Sequence, residues 1–104
     1  MIAILALIGA GIREKQVISP AVTEILSWEE DLKLHLFEPV EVRWVSAEDL
    51  EVKLKNGVVV NFSPQKEREF QFDSLQLILR QIKIEGRPIK RIDLRYDKPV
   101  LAYE

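Results

Sequence analysis

Two strand-like segments joined by an Asn-Gly pair constrain the fold of this chain more than any other feature. Residues 50–54 alternate between apolar and charged side chains, as in a half-buried β-strand, and residues 58–62 form a second, mostly apolar strand-like segment. Asn56-Gly57 lies between them and predicts a hairpin with a type I′ turn, in which both central residues need a positive φ. Residues 40–45 alternate in the same way just upstream. The three segments together predict an antiparallel meander.

A first helix is predicted to begin at Ser19-Pro20. Serine can accept a hydrogen bond from a free backbone N–H at the N-cap, and proline fits the first helical position. The helical pattern continues to about Lys33, and Trp28 lies beside its apolar stripe, where both core and rim are compatible with the spacing. The members of the stripe are Val22, Ile25, Leu26 and Leu32.

A second helix is predicted after a charged, loop-like segment at residues 63–71. Asp73 or Ser74 can cap its N-terminus. Gly86 suits its C-terminal end, because glycine adopts the left-handed conformation there without strain, and Pro88 follows just beyond it. The apolar stripe of this helix consists of Leu75, Ile78, Leu79 and Ile82.

The order of the patterned segments predicts an α+β domain. Strands are expected at residues 2–12, with a turn at Gly9-Ala10-Gly11, and near the end at residues 89–96 and 100–103. We predict one domain over residues 1–104, with a mostly antiparallel sheet and both amphipathic helices on one face. The other face carries charged side chains and is expected to meet solvent. The C-terminal strand is predicted to lie at the sheet edge, where unpaired backbone groups can bind another chain.

Composition excludes several classes of function. The 104 residues include no cysteine, which rules out disulfides, cysteine-ligated metals and a thiol nucleophile. A formal net charge of −2 argues against a nucleic-acid binder that depends on phosphate contacts. No segment has the roughly 20 apolar residues of a membrane span. Residues 80–98 carry seven basic and three acidic side chains, which either favour an acidic partner or form a solvated surface.

Side chains with catalytic potential are few. His35 is the single histidine, and the sequence places no serine beside it. The acidic cluster at residues 29–31 lacks the ligand spacing of a calcium loop, and the glycines at residues 9–11 lack the lysine of a phosphate loop. We therefore predict no catalytic residue, no metal site and no cofactor. The alternatives are an unrelated enzymatic or small-molecule-binding domain with a site near His35 and Glu38, and a purely structural spacer.

Arg95 is the leading candidate for partner contact. A period of two places Ile92, Leu94 and Tyr96 toward the helices and Arg95 on the opposite face, between two aspartates. Arg95 can form a surface ladder with these aspartates, which stabilises little. It can equally bind a partner carboxylate through its planar guanidinium.

The final strand offers a second set of candidates. Leu101 and Tyr103 share one face, and Val100 and Ala102 share the other. Pro99 can interrupt the register, so either pair can point inward. Large residues on an exposed edge often anchor a partner strand, although Val and Leu more commonly complete a core.

Taken in order, these motifs resemble the C-terminal part of the FtsQ/DivIB family of bacterial cell-division proteins. The signature-like segment is residues 86–97, Gly-Arg-Pro-Ile-Lys-Arg-Ile-Asp-Leu-Arg-Tyr-Asp. The hairpin at residues 54–58 and the helix after it occupy the matching places upstream. Residues 5–11, Leu-Ala-Leu-Ile-Gly-Ala-Gly, resemble the family's Leu-Pro-x-Ile-x-Gly motif, with Ala6 in place of the proline. The resemblance covers nearly the whole chain.

The resemblance implies a non-catalytic scaffold domain of the divisome that acts in septum formation. It implies that residues 1–104 are the β-domain of a larger protein, anchored by one transmembrane helix that this chain lacks. That domain is expected on the extracytoplasmic, periplasmic face of the cytoplasmic membrane. The implied partners are FtsB/FtsL-like proteins, with no nucleic acid and no small-molecule substrate.

The resemblance also implies where the partner binds. In the family, a partner segment adds a strand to the last strand of this domain, and an arginine and a tyrosine of the signature help to hold it. Arg95 and Tyr96 match these two residues. Lys98-Pro99 replaces the family's small residues, and Pro99 offers no backbone donor. The matching edge consists of Pro99, Val100, Leu101, Ala102 and Tyr103.

Overall fold

The computed structural model describes residues 20–104 of the chain. The predicted strand at residues 2–12, its glycine turn and the cap at Ser19 lie outside the described residues. Within residues 20–104, no helix combines the length and the apolar character needed to cross a membrane. The elements are α1 (Pro20–Leu34), β1 (Pro39–Ser46), β2 (Asp49–Leu54), β3 (Val59–Phe62), α2 (Arg68–Glu85), β4 (Ile89–Asp93) and β5 (Val100–Tyr103).

The five described strands form one sheet in the order β1-β2-β3-β4-β5. Neighbouring strands pair antiparallel, except that β3 and β4 run parallel. α2 accounts for this exception, because it carries the chain back to the starting end of the sheet. The predicted α+β fold is confirmed, with a mostly antiparallel sheet, two helices and the C-terminal strand at one edge.

The predicted hairpin between β2 and β3 is confirmed, but its turn is not of type I′. Gly57 has a φ of 93°, whereas Asn56 does not have the positive φ that a type I′ turn requires. Instead, the side-chain Oδ1 of Asn56 accepts the Val58 N–H at 3.0 Å. The connection is therefore longer than predicted, and the strand that follows begins at Val59.

The bounds of α1 agree with the prediction, but its buried face is partly different. Trp28 and Leu32 are buried, and Ile25 packs against the core. Leu26 is 57% exposed and Val22 is also exposed, so their assignment to the apolar stripe is wrong. The indole of Trp28 takes the central position on α1, because its size fills the gap between the helices and the sheet.

The core lies between the two helices and one face of the sheet. The Trp28 ring centroid is 5.2 Å from that of Phe62 on β3 and 5.7 Å from that of Phe72 on α2. Such tilted and edge-to-face contacts are favourable for aromatic rings. The largest fully buried side chains are Trp28, Phe62, Phe72, Leu32, Leu50, Leu75, Ile92, Val52 and Val60.

α2 begins at Arg68, so the predicted start at Asp73 or Ser74 is wrong. The N-cap residue is Glu67, whose side chain makes no capping hydrogen bond. The sequence therefore lacks the usual capping signal at this helix start. α1 anchors the first turn instead. Nη1 of Arg68 donates to Asp31 Oδ2 at 2.6 Å and to Ser27 Oγ at 3.0 Å.

The C-terminal half of α2 follows the prediction. Gly86 has a φ of 74°, and its N–H donates to the Ile82 carbonyl at 2.8 Å. This is the left-handed cap expected of a glycine. Leu75 is fully buried, and the other members of the predicted stripe pack against the core.

A buried glutamine joins α2 to the segment that follows β3. Gln71 is 2% exposed. Its Oε1 accepts the Ser63 N–H at 2.8 Å, and its Nε2 donates to the Ser63 carbonyl at 3.0 Å and to the Glu67 carbonyl at 3.1 Å. The side-chain amide therefore pairs with Ser63 as a neighbouring strand would, and it satisfies backbone groups that are shielded from water.

Candidate partner-binding edge

β5 is the outermost strand at one side of the sheet. It pairs with β4 in a register that sets Leu101 against Ile92 and Val100 against Asp93. No strand within residues 20–104 pairs with its other side. β4 ends at Asp93, three residues short of the predicted Tyr96, and residues 94–99 carry the chain round to β5.

The backbone groups of β5 point alternately toward β4 and toward the open side. The Glu104 N–H points toward β4 and donates to the carbonyl of Pro88, the residue just before that strand, at 3.3 Å. The direction of the backbone groups alternates along a strand. The N–H and C=O groups of Ala102 therefore also point toward β4, whereas those of Leu101 and Tyr103 point toward the open side. The backbone of Pro99 also faces the open side, but proline has no N–H to donate. The open side therefore offers two backbone donors.

The side chains of β5 divide between the core and the surface. Leu101 is half-buried and packs against the core, and Tyr103 shares its face. Val100 is 54% exposed, and Ala102 is exposed on the same side. The guanidinium of Arg87 lies 3.8 Å from the ring centroid of Tyr103. This cation–π contact holds the tyrosine at the end of the edge.

Two aspartates orient the guanidinium of Arg95. Its Nε donates to Asp93 Oδ1 at 2.9 Å, and its Nη2 donates to Asp93 Oδ2 at 2.6 Å. Its Nη1 lies 3.3 Å from Oδ2 of Asp49 on β2. An arginine side chain carries five N–H groups, so the contacts within residues 20–104 leave one on each terminal nitrogen for another acceptor. The charge ladder and a partner contact are therefore compatible with each other.

Both members of the Arg95–Asp93 pair stay charged at neutral pH. The hydrogen bond to Asp93 raises the pKa of Arg95, although partial burial opposes it. Burial would raise the pKa of Asp93, but the hydrogen bonds from the Arg95 side chain and backbone outweigh burial and lower that pKa. The two opposite charges thus hold the guanidinium of Arg95 against Asp93.

Tyr96 lies at the surface, 58% exposed, so the prediction from strand period that it belongs to the core is wrong. The period fails because β4 ends before this residue. Leu94 is still buried, because its N–H donates to the Asn61 carbonyl at 2.8 Å and holds it beside β3. The Tyr96 ring centroid is 5.5 Å from Cζ of Arg95. A polar cleft of about 260 Å³ opens beside them and is lined by Glu48, Ser63, Gln65, Lys66, Arg95 and Tyr96.

A ladder of polar side chains crosses the solvent-facing side of the sheet and ends at Arg95. Arg91 Nη1 donates to Glu51 Oε2 at 3.0 Å and to Asn61 Oδ1 at 2.6 Å, and Asn61 Nδ2 donates to Asp49 Oδ1 at 2.9 Å. The alternation of the strands predicts which side these residues occupy. It does not predict the cross-strand register that brings them together. The polar ladder consists of Arg43, Glu51, Arg91, Asn61, Asp49, Arg95 and Asp93.

The polar ladder makes stability depend on pH at the acid end. Hydrogen bonds from Arg43 and then Arg91 lower the pKa of Glu51, against the effect of burial. A carboxyl with a lowered pKa stabilises the fold above its unfolded value of about 4, and this contribution is lost as the pH falls through the folded pKa. We expect Glu51→Gln to be destabilising near neutral pH and the difference from wild type to shrink in acid. Urea unfolding at a series of pH values measures this; a difference that stays constant contradicts it.

His35 lies at the junction of the two helices, where both ring nitrogens have partners. Nδ1 is 2.9 Å from the Asp31 carbonyl, and Nε2 is 3.2 Å from Oε2 of Glu69. The Asp31 carbonyl and the Glu69 carboxylate raise the pKa of His35, although burial opposes them. Glu38 lines two open depressions, one with Lys33 and the other with Lys55 and Asn56, and His35 lines neither of them. The described residues thus give a site at His35 and Glu38 no convergent set of polar groups.

The chain matches a known protein family over most of its length. The model of the family described as "Cell division protein FtsQ/DivIB, C-terminal" matches residues 3–95. The matched range includes every element from α1 to β4 and reaches Arg95, and β5 lies just beyond it. No curated protein matches the chain significantly. The predicted family is confirmed over nearly the whole chain, which therefore belongs to the C-terminal domain family of the FtsQ/DivIB cell-division proteins.

Proposed function

We propose that this chain is a non-catalytic scaffold domain of the division machinery that binds a partner by strand addition during septum formation. The observation that carries the proposal is the position of β5, which is outermost among the described strands and has no strand of residues 20–104 on its other side. An extended segment can pair with the outward N–H and C=O groups of Leu101 and Tyr103. Backbone pairing of this kind supplies affinity with little demand on sequence.

The side chains around the edge support the choice of this surface. Tyr96, Val100 and Tyr103 are 58%, 54% and 39% exposed, so partner side chains can cover them. Aromatic residues of this kind often dominate the energy of an interface. The proposed partner-binding residues are Arg95, Tyr96, Pro99, Val100, Leu101, Ala102 and Tyr103.

The chemistry of the edge favours an acidic partner segment. The two N–H groups of Arg95 that have no acceptor among residues 20–104 can donate to a partner carboxylate, which gives a charge-assisted pair. The surrounding residues 80–98 carry seven basic and three acidic side chains, which speeds the encounter with an acidic chain at low salt. Membership of a cell-division family supports a divisome protein as this partner, and we propose an FtsB/FtsL-like protein.

We further propose that residues 1–104 form one domain of a larger protein held at the membrane by a single helix. The domain then lies on the periplasmic side of the cytoplasmic membrane, where septal partners are accessible. Family membership supports this placement. Sequencing the whole gene tests it, because one upstream segment of about 20 apolar residues is expected.

The backbone role of the edge is tested by two substitutions at one position. Tyr103→Ala removes the ring alone, whereas Tyr103→Pro removes the ring and the outward N–H. One lost hydrogen bond is worth about 1 kcal/mol, so we expect the proline variant to bind about fivefold more weakly than the alanine variant, or worse. Isothermal titration of the 104-residue chain with a synthetic FtsB-like peptide measures this. Equal affinities of the two variants would show that no partner strand pairs here.

A matched pair of arginines controls for general charge effects in the same titration. Arg95→Ala should weaken peptide binding and make it less sensitive to salt. Arg43→Ala removes the same charge from β1, at the opposite end of the five described strands, and should leave the affinity unchanged. Equal loss in both variants would indicate non-specific attraction rather than a contact at Arg95.

A further inference from the structure

α2 carries large apolar side chains on the side that faces away from the core. Phe70, Leu77 and Ile84 are 64%, 62% and 73% exposed. They are seven residues apart, so they fall on nearly one line along the helix, here called the outer stripe. The opposite side of α2 is buried through Gln71, Phe72 and Leu75. A helix that is apolar on two opposite sides is normally covered on both.

Polar residues flank the outer stripe in a definite arrangement. A rotation of 100° per residue places Asp73 and Arg80 on one side of Leu77, and Ser74 and Gln81 on the other. Neither Asp73 nor Arg80 makes an ion pair with another side chain of residues 20–104. Both charges are therefore available to a molecule that covers the stripe.

The outer stripe is symmetric about Leu77. If a twofold axis relates two antiparallel copies of α2 at this point, Phe70 of each copy faces Ile84 of the other. Rotation about this axis keeps each flank of the stripe on the same side of the helix pair. Asp73 of each copy therefore meets Arg80 of the other. Two ion pairs form on that side. In a parallel pair the sides are exchanged, and the same charges face Ser74 and Gln81 instead.

We infer that the outer stripe of α2 is a self-association surface, and that it binds a second copy of this chain in an antiparallel, twofold arrangement. A twofold contact uses the same patch on both subunits, as the symmetry of the stripe allows. Three side chains and their flanks bury less than the roughly 800 Å² per partner of a stable complex, so the dimer is weak and depends on concentration. The inference does not depend on strand addition at β5.

The first test compares two exposed leucines. Leu77→Glu places a charge at the proposed twofold axis, and Leu26→Glu places it on the outer side of α1, where Leu26 is 57% exposed. Sedimentation equilibrium of the 104-residue chain should show the wild-type mass rising toward that of a dimer from micromolar to millimolar concentration. Leu77→Glu should stay monomeric, and Leu26→Glu should behave as wild type. A wild type that stays monomeric, or a Leu77→Glu variant that still dimerises, overturns the inference.

The second test asks whether the outer stripe binds a second copy of the chain and whether the two α2 helices run antiparallel. Asp73→Lys and Arg80→Glu should each weaken dimerisation about tenfold, because each creates two like-charge contacts. The double variant restores opposite charges and should dimerise as wild type does. If it does not, the outer stripe is not paired with an antiparallel copy. The chain has no cysteine, so oxidised Leu77→Cys should give a disulfide-linked dimer, whereas Leu26→Cys should not.

Discussion

Replacing Trp28 with alanine is expected to lower the free energy of unfolding by about 3–5 kcal/mol, the range for large aromatic residues in a core. The side chain is 1% exposed and contacts the rings of Phe62 and Phe72. The guanidinium of Arg68 lies over the indole, 4.2 Å from its centroid. The substitution therefore leaves a cavity where α1, α2 and the sheet meet. Urea unfolding monitored by circular dichroism measures the loss.

Trp28→Phe provides the matched comparison for this prediction. The indole Nε1 is buried and has no hydrogen-bond partner among residues 20–104, and such a donor costs free energy. Phenylalanine removes that donor and keeps most of the ring, so we expect a much smaller loss than for alanine. Leu26→Ala, at an exposed position of the same helix, should change stability little. A loss for Trp28→Ala as small as that for Leu26→Ala would contradict the assigned core.

Replacing Gln71 with methionine is expected to lower the free energy of unfolding by about 2–4 kcal/mol. Methionine keeps the length of the side chain but removes its amide. The N–H and C=O of Ser63 then lose their partners at a buried site, and each unsatisfied group costs about 1–3 kcal/mol. Gln76→Met makes the same change at an exposed position of α2 and should be nearly neutral. Equal stability of the two variants would show that the amide of Gln71 is dispensable.

The same substitution should also affect the proposed partner site. Gln71 fixes residues 63–67, and Nζ of Lys66 in this segment donates to the Arg95 carbonyl. Loosening the segment therefore frees one wall of the cleft beside Arg95 and Tyr96. We expect Gln71→Met to weaken peptide binding even at temperatures where the chain is fully folded, and Gln76→Met not to do so.

The features that were predictable from sequence depend on short-range chemistry. Gly86 ends α2 as expected, because a left-handed φ is a local demand that glycine meets. The hairpin at Asn56-Gly57 and the order of the elements follow from periods of two and of 3.6 residues. These signals sufficed for the fold class and the edge position of β5.

The features that sequence missed depend on contacts between distant residues. α2 begins at Arg68, where the Arg68 side chain donates hydrogen bonds to Asp31 and Ser27 of α1. No capping residue in the local sequence predicts this start. Arg95 is held partly by Asp49 of β2, a contact that requires the register of the whole sheet. Tyr96 lies at the surface rather than in the predicted core, because β4 ends at Asp93. Each of these outcomes was decided by tertiary packing, which a single sequence does not encode in its spacing.

Among the strands of residues 20–104, β5 pairs only with β4, and β4 is joined to the remaining strands by its parallel pairing with β3. That pairing sets Val60 beside Ile92, with all of α2 between them in the chain. Contacts of such long range form slowly, because the entropy of closing the loop must first be overcome. We therefore expect the edge at β5 to form late in folding, after α2 has packed. On the function proposed above, a partner strand can therefore pair only with molecules that have finished folding.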